Sequence, residues 1–438
     1  MLLNAADKAL WRLALPMIFS NITVPLLGLV DTAVIGHLDS PVYLGGVAVG
    51  ATATSFLFML LLFLRMSTTG LTAQAWGAKD PQRLARALVQ PLALALGAGV
   101  LIILLRLPLI DLALHIVGGS EAVLEQARRF LEIRWLSAPA SLANLVLLGW
   151  LLGVQYARAP VILLVVGNLL NIVLDLWLVM GLRMNVQGAA LATVTAEYAT
   201  LIIGLLMAKR VLTLRGVSLA MLKNAWRGDL RRLLALNRDI MLRSLLLQLC
   251  FGALTVFGAR LGSDIVAVNA VLMTMLTFTA YALDGFAYAV EAHSGQAYGA
   301  RDGSQLLEVW RAACRQSGMV ALAFALIYSL AGQYIIALLT SLPSLQQLAD
   351  RYLIWQTILP VVGVWCYLLD GMFIGATRGA EMRNSMAVAA AGFAVTLLTL
   401  PVLGNHGLWL ALGVFLALRG LSLALIWRRH WRRGTWFS

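Results

Sequence analysis

The sequence predicts an all-α membrane protein, with twelve transmembrane helices in two six-helix bundles related by a pseudo-two-fold axis along the membrane normal. Three observations predict it. The 438 residues are 61% hydrophobic and only 12% charged, whereas a soluble chain averages about 45–50% apolar and about 25% charged. So little charge cannot solvate a soluble globule of this length, and disorder needs the opposite composition, low hydrophobicity with dense charge. Apolar runs long enough to cross a bilayer, roughly 20 residues apiece, recur along the whole chain. The second half then repeats landmarks of the first.

The apolar stretches fall at about 11–36, 45–73, 88–110, 131–155, 160–181 and 187–208, then at about 239–261, 265–297, 317–339, 352–377, 384–404 and 408–427. Their length and lack of period-2 alternation select helices over barrel strands. The first, entered near Trp11, is too long for a signal-peptide core and shows no small-residue cleavage site, so it is expected to be retained. Pro16, Pro139 and Pro360 fall inside the first, fourth and tenth stretches, where neighbouring helices can satisfy the carbonyls that a proline frees. Three isolated cysteines, Cys250, Cys314 and Cys366, give neither a disulfide framework nor a zinc signature.

Lys and Arg set the orientation. With both termini cytoplasmic, the inner segments hold 23 of the 33 basic residues, and the outer side keeps only Arg106, Arg128, Arg129, Arg134, Arg183, Arg260 and Arg351. The net charge of +13 therefore reads as membrane topology and not as nucleic-acid binding. The longest inner segment, 209–238, separates an N-terminal bundle, 1–208, from a C-terminal bundle with a basic tail, 239–438. Within it Lys223, Arg227 and Arg231 recur every fourth residue beside Leu222, Trp226 and Leu230. That pattern reads either as an amphipathic helix on the anionic inner leaflet or as an ordinary basic linker.

Gln74-Ala-Trp-Gly-Ala-Lys-Asp80 returns as Gln296-Ala-Tyr-Gly-Ala-Arg-Asp302, 222 residues on, and Gly149 and Gly153 keep the same offset from Gly371 and Gly375. Six helices and an inner linker return the chain to its starting side. The halves are thus expected to be parallel repeats, an arrangement that suits a transporter rocking between two openings better than a static pore.

An ionisable group in hydrocarbon costs at least about 2.5–3.5 kcal/mol, so each one needs a reason. Asp31 near the outer end of the first stretch, Asp175 near the outer end of the fifth and Thr193 in the sixth share one depth in the outer half of the first bundle. Asn168, Asn171 and Asp175 lie on one face of the fifth helix, and Glu197 sits one turn below Thr193. Two carboxylates brought together in a low dielectric resist joint ionisation, so one can carry a proton near neutral pH, and the same hard oxygens can coordinate Na⁺. Asn and Thr are also ordinary interhelical glue, the reading favoured for Asn168 and Thr193 taken alone.

At the 222 offset Asp31 meets Ala253 and Asp175 meets Leu397, so the acidic pair has no copy in the second bundle. That bundle has its own acids, Asp284 and Asp370, nearer the middle or inner half. They are candidates for the substrate cavity or a second proton step, or for pairing with an arginine. Arg65 in the second stretch is a counter-charge within the membrane and a third cavity candidate. Glu291 and Arg243 are expected at the inner interface and His37 at the outer rim. Neither GxxxxGK[ST] nor HExxH nor GxSxG occurs, so direct ATP use and enzyme activity are not expected.

Pro16 through Asp31 with Asp31-Thr-Ala-Val-Ile-Gly-His37, the paired Gln-Ala-Trp/Tyr-Gly-Ala-Lys/Arg-Asp, Asn171-Ile-Val-Leu-Asp175 and Gly188-Ala-Ala-Leu-Ala-Thr193 together resemble the multidrug and toxic compound extrusion (MATE) family over nearly the whole length. Within it the chain is most similar to the bacterial DNA-damage-inducible F (DinF) branch. The resemblance implies a cation-driven antiporter of the bacterial inner membrane whose two bundles open alternately to either side. It marks Asp31, Asn171, Asp175 and Thr193 as the coupling-ion site and Pro16 as the bend of the first helix, and it implies expression linked to DNA damage. Other branches carry acids within the seventh helix, where this chain has only Asp239, at its inner start.

The expected function is export of organic, cationic or amphipathic compounds in exchange for H⁺, with Na⁺ at Asp31, Asn171, Asp175 and Thr193 as the alternative. No organic cofactor and no nucleic acid are expected. The partners are small organic substrates and membrane lipids, and the protein is expected to be a monomer. A flippase for a lipid-linked anionic precursor is the competing reading. Such cargo wants several arginines in the cavity, and this interior is expected to carry mostly acids.

Overall fold

Helix carries the chain almost from end to end. A computed structural model describes residues 3–36, 38, 40–228 and 230–438, without the side chains of 23–33, so His37 and the side chain of Asp31 lie outside the described residues. The long helices are α1 (Ala5–Gly36), then α2 (Pro41–Gly77), α3 (Pro81–Leu104), α4 (Glu121–Gly153), α5 (Ala159–Gly181), α6 (Asn185–Leu214), α7 (Leu230–Arg260), α8 (Ser263–Ala300), α9 (Gly303–Leu339), α10 (Pro343–Gly375), α11 (Gly379–Leu403) and α12 (Asn405–Arg433). Among the described residues no strand occurs. The eleven helices α2 to α12 are each long and apolar enough to cross a bilayer. The chain is a multi-pass all-α membrane protein.

The paired Gln-Ala-Trp/Tyr-Gly-Ala-Lys/Arg-Asp segment is a stop-and-restart signal. Lys79 and Arg301 take left-handed φ of 53° and 54°, which ends the helix. Asp80 then accepts from the N–H groups of Gln82 and Arg83, and Asp302 from that of Gln305, so each aspartate caps the helix that follows. The repeat was legible in sequence because both copies meet the same local demand.

Two segments differ from the sequence expectation. The third apolar stretch is cut at Leu104, and a separate short helix, Arg106–Val117, follows. In the linker the helix covers only Leu219–Asn224; the backbone turns at 225–228, with Gly228 at φ 138°, and α7 starts at Leu230. Lys223 and Arg231 therefore belong to different helices with Arg227 in the turn between, and no continuous amphipathic face forms. Glycine at 228 is what lets the chain reverse there.

The chain divides into two compact units, one of Ile22–Leu233 and one of Met1–Asn21 with Leu234–Ser438. The first half of α1 thus belongs with the C-terminal helices, and most of the linker belongs with the N-terminal ones. In the N-terminal unit α2 and α3 pack on α4, α4 on α6, and α5 on α6. In the other unit α8 and α9 pack on α10, α10 on α12, and α11 on α12. The same pairs recur in the same order.

The recurrence reaches single atoms. A Cβ on Gly149 would stand 2.6 Å from the Arg65 carbonyl oxygen, and one on Gly371 2.7 Å from that of Ala287. One turn on, a Cβ on Gly153 would meet the Thr69 carbonyl at 3.1 Å and one on Gly375 that of Glu291 at 2.9 Å. Each carbonyl is 222 residues from its counterpart. Paired small residues let the α2–α4 and α8–α10 backbones touch, the usual way membrane helices gain packing when no hydrophobic drive separates them from lipid.

The N-terminal segment is tied to α9 and the C-terminal residue to the end of α8. Asp7 pairs with Arg315 at 3.0 Å, and the Tyr298 hydroxyl donates to the Ser438 carbonyl. The basic tail does not hang free. Trp436 is fully buried, edge-on to Phe373 at 5.1 Å, and Arg378 donates to the Thr435 and Trp436 carbonyls at 3.0 and 2.8 Å.

Candidate functional site

Asn171 and Asp175 lie one turn apart on α5, and both are buried, Asp175 completely. Thr193 on α6 shares its hydroxyl proton between Asn171 Oδ1 at 3.4 Å and its own helix, the Ala189 carbonyl at 3.2 Å. The two helices come this close because Gly188 on α6 faces the backbone of Leu178, where a Cβ would be 3.1 Å from the carbonyl. Immediately after Asp175 the α5 backbone widens into one π turn over Leu176–Gly181. Such bulges are uncommon and concentrate at functional sites.

Of the four expected coupling-ion residues, Asn171 and Thr193 thus meet, with Asp175 one turn along α5; for the fourth, Asp31, the backbone is helical and the side chain lies outside the described residues. Asn168 is half-buried on α5. Glu197, also half-buried, accepts at both its carboxylate, 3.0 Å, and its carbonyl, 3.1 Å, from the amide of Asn144 on α4. Asn144 went unnoticed in the sequence, although an amide inside an apolar stretch is the signal that drew attention to Asn171. Amide, hydroxyl and carboxylate oxygens make a hard donor set, suited to a proton or a small hard cation. Among the described residues no group of three His, Cys, Asp or Glu is placed to hold a metal ion.

The repeat supplies a control for this cluster. At the 222 offset Asn171, Asp175 and Thr193 become Phe393, Leu397 and Phe415. Phe393 and Phe415 stack edge-to-face across α11 and α12, with centroids 6.1 Å apart. The same helix pairing is thus closed by an aromatic pair in one unit and by a polar one in the other.

The C-terminal unit places its charge elsewhere. Asp370 on α10 binds Arg243 of α7 at 2.6 Å and Arg419 of α12, both through Oδ2. All three are buried. Asp284 acts electrostatically on the neighbouring Cys366 and Tyr367. Several expectations change here. Arg243 and Glu291, expected near the inner interface, are buried within the protein. Of the readings open to Asp370, pairing with arginine is the one seen, and it is made twice. The interior of this unit also holds two arginines, Arg243 and Arg419, beside the buried Asp239, Glu291 and Asp370. Arg419 escaped notice, yet the tally of inner and outer basic residues leaves three over, Arg65, Arg243 and Arg419. Arg65 is also buried, its Nη1 donating to Thr69 Oγ1 at 3.3 Å.

The first half of α1 is fastened to α8 and α9. Trp11 Nε1 donates to Gln316 Oε1 at 2.9 Å, and the indole meets Phe286 edge-on at 5.0 Å. Asn21 donates to the Tyr281 carbonyl at 3.2 Å, and Ile18 fills the space a Cβ on Gly285 would need. Pro16 stands between these contacts, and its ring removes one backbone donor from α1.

Two helical units of one ancestry, with a buried polar cluster in one and a locked charge cluster in the other, define a membrane transporter of the repeat-built class. The chain belongs to the MatE family, whose sequence model matches residues 16–177 and 240–403. It is 87% identical over 436 residues to the DNA damage-inducible protein F of Escherichia coli (strain K12), covering 100% of this chain and 95% of that protein. It is 23% identical over 431 residues to a probable multidrug resistance protein NorM of Acinetobacter baylyi, 96% of this chain and 94% of that one. Among solved structures, a "MATE in the straight conformation" superposes with a TM-score of 0.85 at 23% identity over 98% of this chain and 96% of that one. An "outward-facing conformation of a multidrug resistance MATE family transporter" gives 0.82 at 24% identity, with the same coverage. At that identity the likeness establishes the fold. Membership makes the chain a transporter and not an enzyme.

Proposed function

We propose that this chain is a secondary active antiporter of the bacterial inner membrane, with both termini cytoplasmic, that exports organic, cationic or amphipathic compounds in exchange for H⁺. The observation that carries this reading is Asp175, completely buried beside the Asn171–Thr193 hydrogen bond, where the repeat closes the same packing with Phe393 and Leu397. A costly polar group that the scaffold can do without is retained for what it binds. Asp31 would complete the site from the second half of α1. Its loading with a proton changes the charge around that half, while the first half stays fastened through Trp11 and Asn21, with Pro16 between as the bend. Na⁺ at Asp31, Asn171, Asp175 and Thr193 is the alternative coupling ion. The cargo class is supported by the multidrug-resistance names of the relatives.

The test is efflux of a fluorescent organic cation from proteoliposomes under an imposed pH step or an imposed Na⁺ gradient. Asp31→Asn and Asp175→Asn should each abolish gradient-driven movement in correctly folded protein, and unchanged efflux would discard the coupling role. A flippase for a lipid-linked anionic precursor gains from the buried Arg243 and Arg419, but Asp370 engages both guanidiniums, so the cation-export reading stands ahead of it.

A further inference from the structure

The last helix ends on four exposed arginines, Arg428, Arg429, Arg432 and Arg433. One turn and two turns before them, Leu425 and Leu421 are each 56% exposed and mark the face that α12 turns to lipid. At 3.6 residues per turn, Arg428 and Arg432 fall within about 20° of Leu421, so they prolong that same face, with Arg429 and Arg433 beside it. Trp427 and Trp431 take the other flank, their rings 5.5 Å apart, and Trp310 of α9 meets Trp427 at 5.9 Å. Tryptophans gather in this way at the level of the membrane–water interface.

The packing of the protein does not account for the arginines. Among the described residues none of the four makes an ion pair or a side-chain hydrogen bond. They do not close the helix either. Gly434 reverses the chain at φ 67°, and the N–H groups of Gly434 and Thr435 bond to the carbonyls of Trp431 and His430 at 3.3 and 2.9 Å. Trp436, buried just beyond, fixes the reversed tail, so the four arginines stand on a rigid helix end and not on a loose tail. At the 222 offset they become Leu206, Met207, Arg210 and Val211, so the other copy of the scaffold keeps only Arg210 at those positions.

We propose that this end of α12 binds the headgroup of an anionic phospholipid of the inner leaflet, with the termini cytoplasmic as argued above. Acyl chains would lie along Leu421 and Leu425. Arg428 and Arg432 follow Leu425 by about 4–11 Å of helix rise, which is the depth of the headgroup layer. There the planar guanidinium fork matches the oxygens of a phosphodiester, and a basic cluster just cytoplasmic of a membrane helix favours anionic over neutral lipid.

Native mass spectrometry of the full-length protein tests this, with phosphatidylglycerol and phosphatidylcholine offered in equal amounts; it reads neither transport nor sidedness. Wild type should retain phosphatidylglycerol preferentially. Arg428→Gln and Arg432→Gln should each weaken the preference about fivefold, the equivalent of ~1 kcal/mol per arginine at a membrane surface. Arg129→Gln with Arg351→Gln removes as much charge from the other side and should leave the preference unchanged. The proposal fails if wild type shows no preference, a result that needs no variant to fold, or if Arg428→Gln with Arg432→Gln behaves as wild type. It fails equally if the Arg129 and Arg351 changes weaken retention as much, which would assign the preference to net charge. Displacement of phosphatidylglycerol by inorganic phosphate, against chloride at equal ionic strength, would assign the site to the free ion and overturn it as well.

Discussion

Replacing Asp370 by Asn tests the buried charge cluster most sharply. Asp370, Arg243 and Arg419 are 7%, 6% and 4% exposed, and both guanidiniums converge on one carboxylate oxygen. Removing one partner of a buried ion pair costs about 3–5 kcal/mol, because the other charge is left uncompensated. Asp370→Asn strands two cations at once, so its destabilisation belongs at or above the upper end of that range. Arg243→Met leaves the Asp370–Arg419 pair intact and lowers the excess positive charge, so its cost falls at or below the lower end. Arg419→Met leaves Asp370–Arg243 but also removes a guanidinium lying 5.5 Å from the Phe415 ring, and falls between them. Changing all three to Met, Leu and Met removes the charges together and should be close to neutral, since apolar replacement of a whole buried cluster often is. The assay is thermal unfolding of the purified full-length protein in one detergent, followed by tryptophan fluorescence. If Asp370→Asn proves as stable as Arg243→Met, the counter-charge is supplied elsewhere, with Asp284 the first place to look, and the reading of a locked triad is wrong.

Four further outcomes follow from the packing. Gly149→Val and Gly371→Val should each destabilise by about 1–3 kcal/mol through overpacking against a carbonyl, while Gly97→Ala, with nothing within 4 Å of the new Cβ, should be neutral or gain up to about 1 kcal/mol in helix propensity; unfolding midpoints decide. Trp436→Ala should cost about 3–5 kcal/mol, as for other large buried aromatics, and increase proteolysis of the C-terminal segment. Asp175→Leu, the residue the repeat uses, should fold and insert normally yet lose proton-driven efflux, measured on the same preparation. Burial pushes the Asp7 carboxyl up, but Arg315 and the Asn4 backbone outweigh it and hold it below the ordinary value. The Asp7 contribution is therefore present above the unfolded pKa of about 3.9 and lost as pH falls below it. Asp7→Asn should lower the unfolding midpoint at neutral pH, with the gap to wild type closing below about pH 4.

The helices, their number and their repetition were legible because length, apolarity and capping residues are local properties. Pairing was legible only where geometry leaves a trace in composition, as at Gly149, Gly153, Gly371 and Gly375. The Asn171–Thr193 contact was within reach of the sequence because helix periodicity and depth place the two together without knowledge of the crossing angle. The Arg243–Asp370–Arg419 cluster was not, because its members sit on three helices separated by 127 and 49 residues, and hydropathy reads a buried Arg419 as one polar interruption in an apolar stretch. The linker misled for a different reason. A four-residue rhythm of charge is compatible with helix, but Gly228 at positive φ stops one from forming.

The two units offer a comparison that a single bundle could not. Both bring their second and fourth helices into backbone contact through the same glycine spacing, so differences in polar content do not reflect different scaffolds. In the N-terminal unit the contact between fifth and sixth helices is polar, and in the C-terminal unit the corresponding contact is aromatic. A bilayer gives no reward for burying an unneeded carboxylate, and that cost is what the proposed coupling role of Asp175 accounts for. The opposite holds for Asp370. Its two ion pairs stitch α7, α10 and α12 together. If coupling rests on the N-terminal cluster as proposed, a gain-of-function experiment follows: freeing Asp370 by Arg243→Met with Arg419→Met should add a second carboxylate and shift the pH dependence of efflux. An unshifted profile in a folded double variant would show that the C-terminal carboxylate takes no part in coupling even when released.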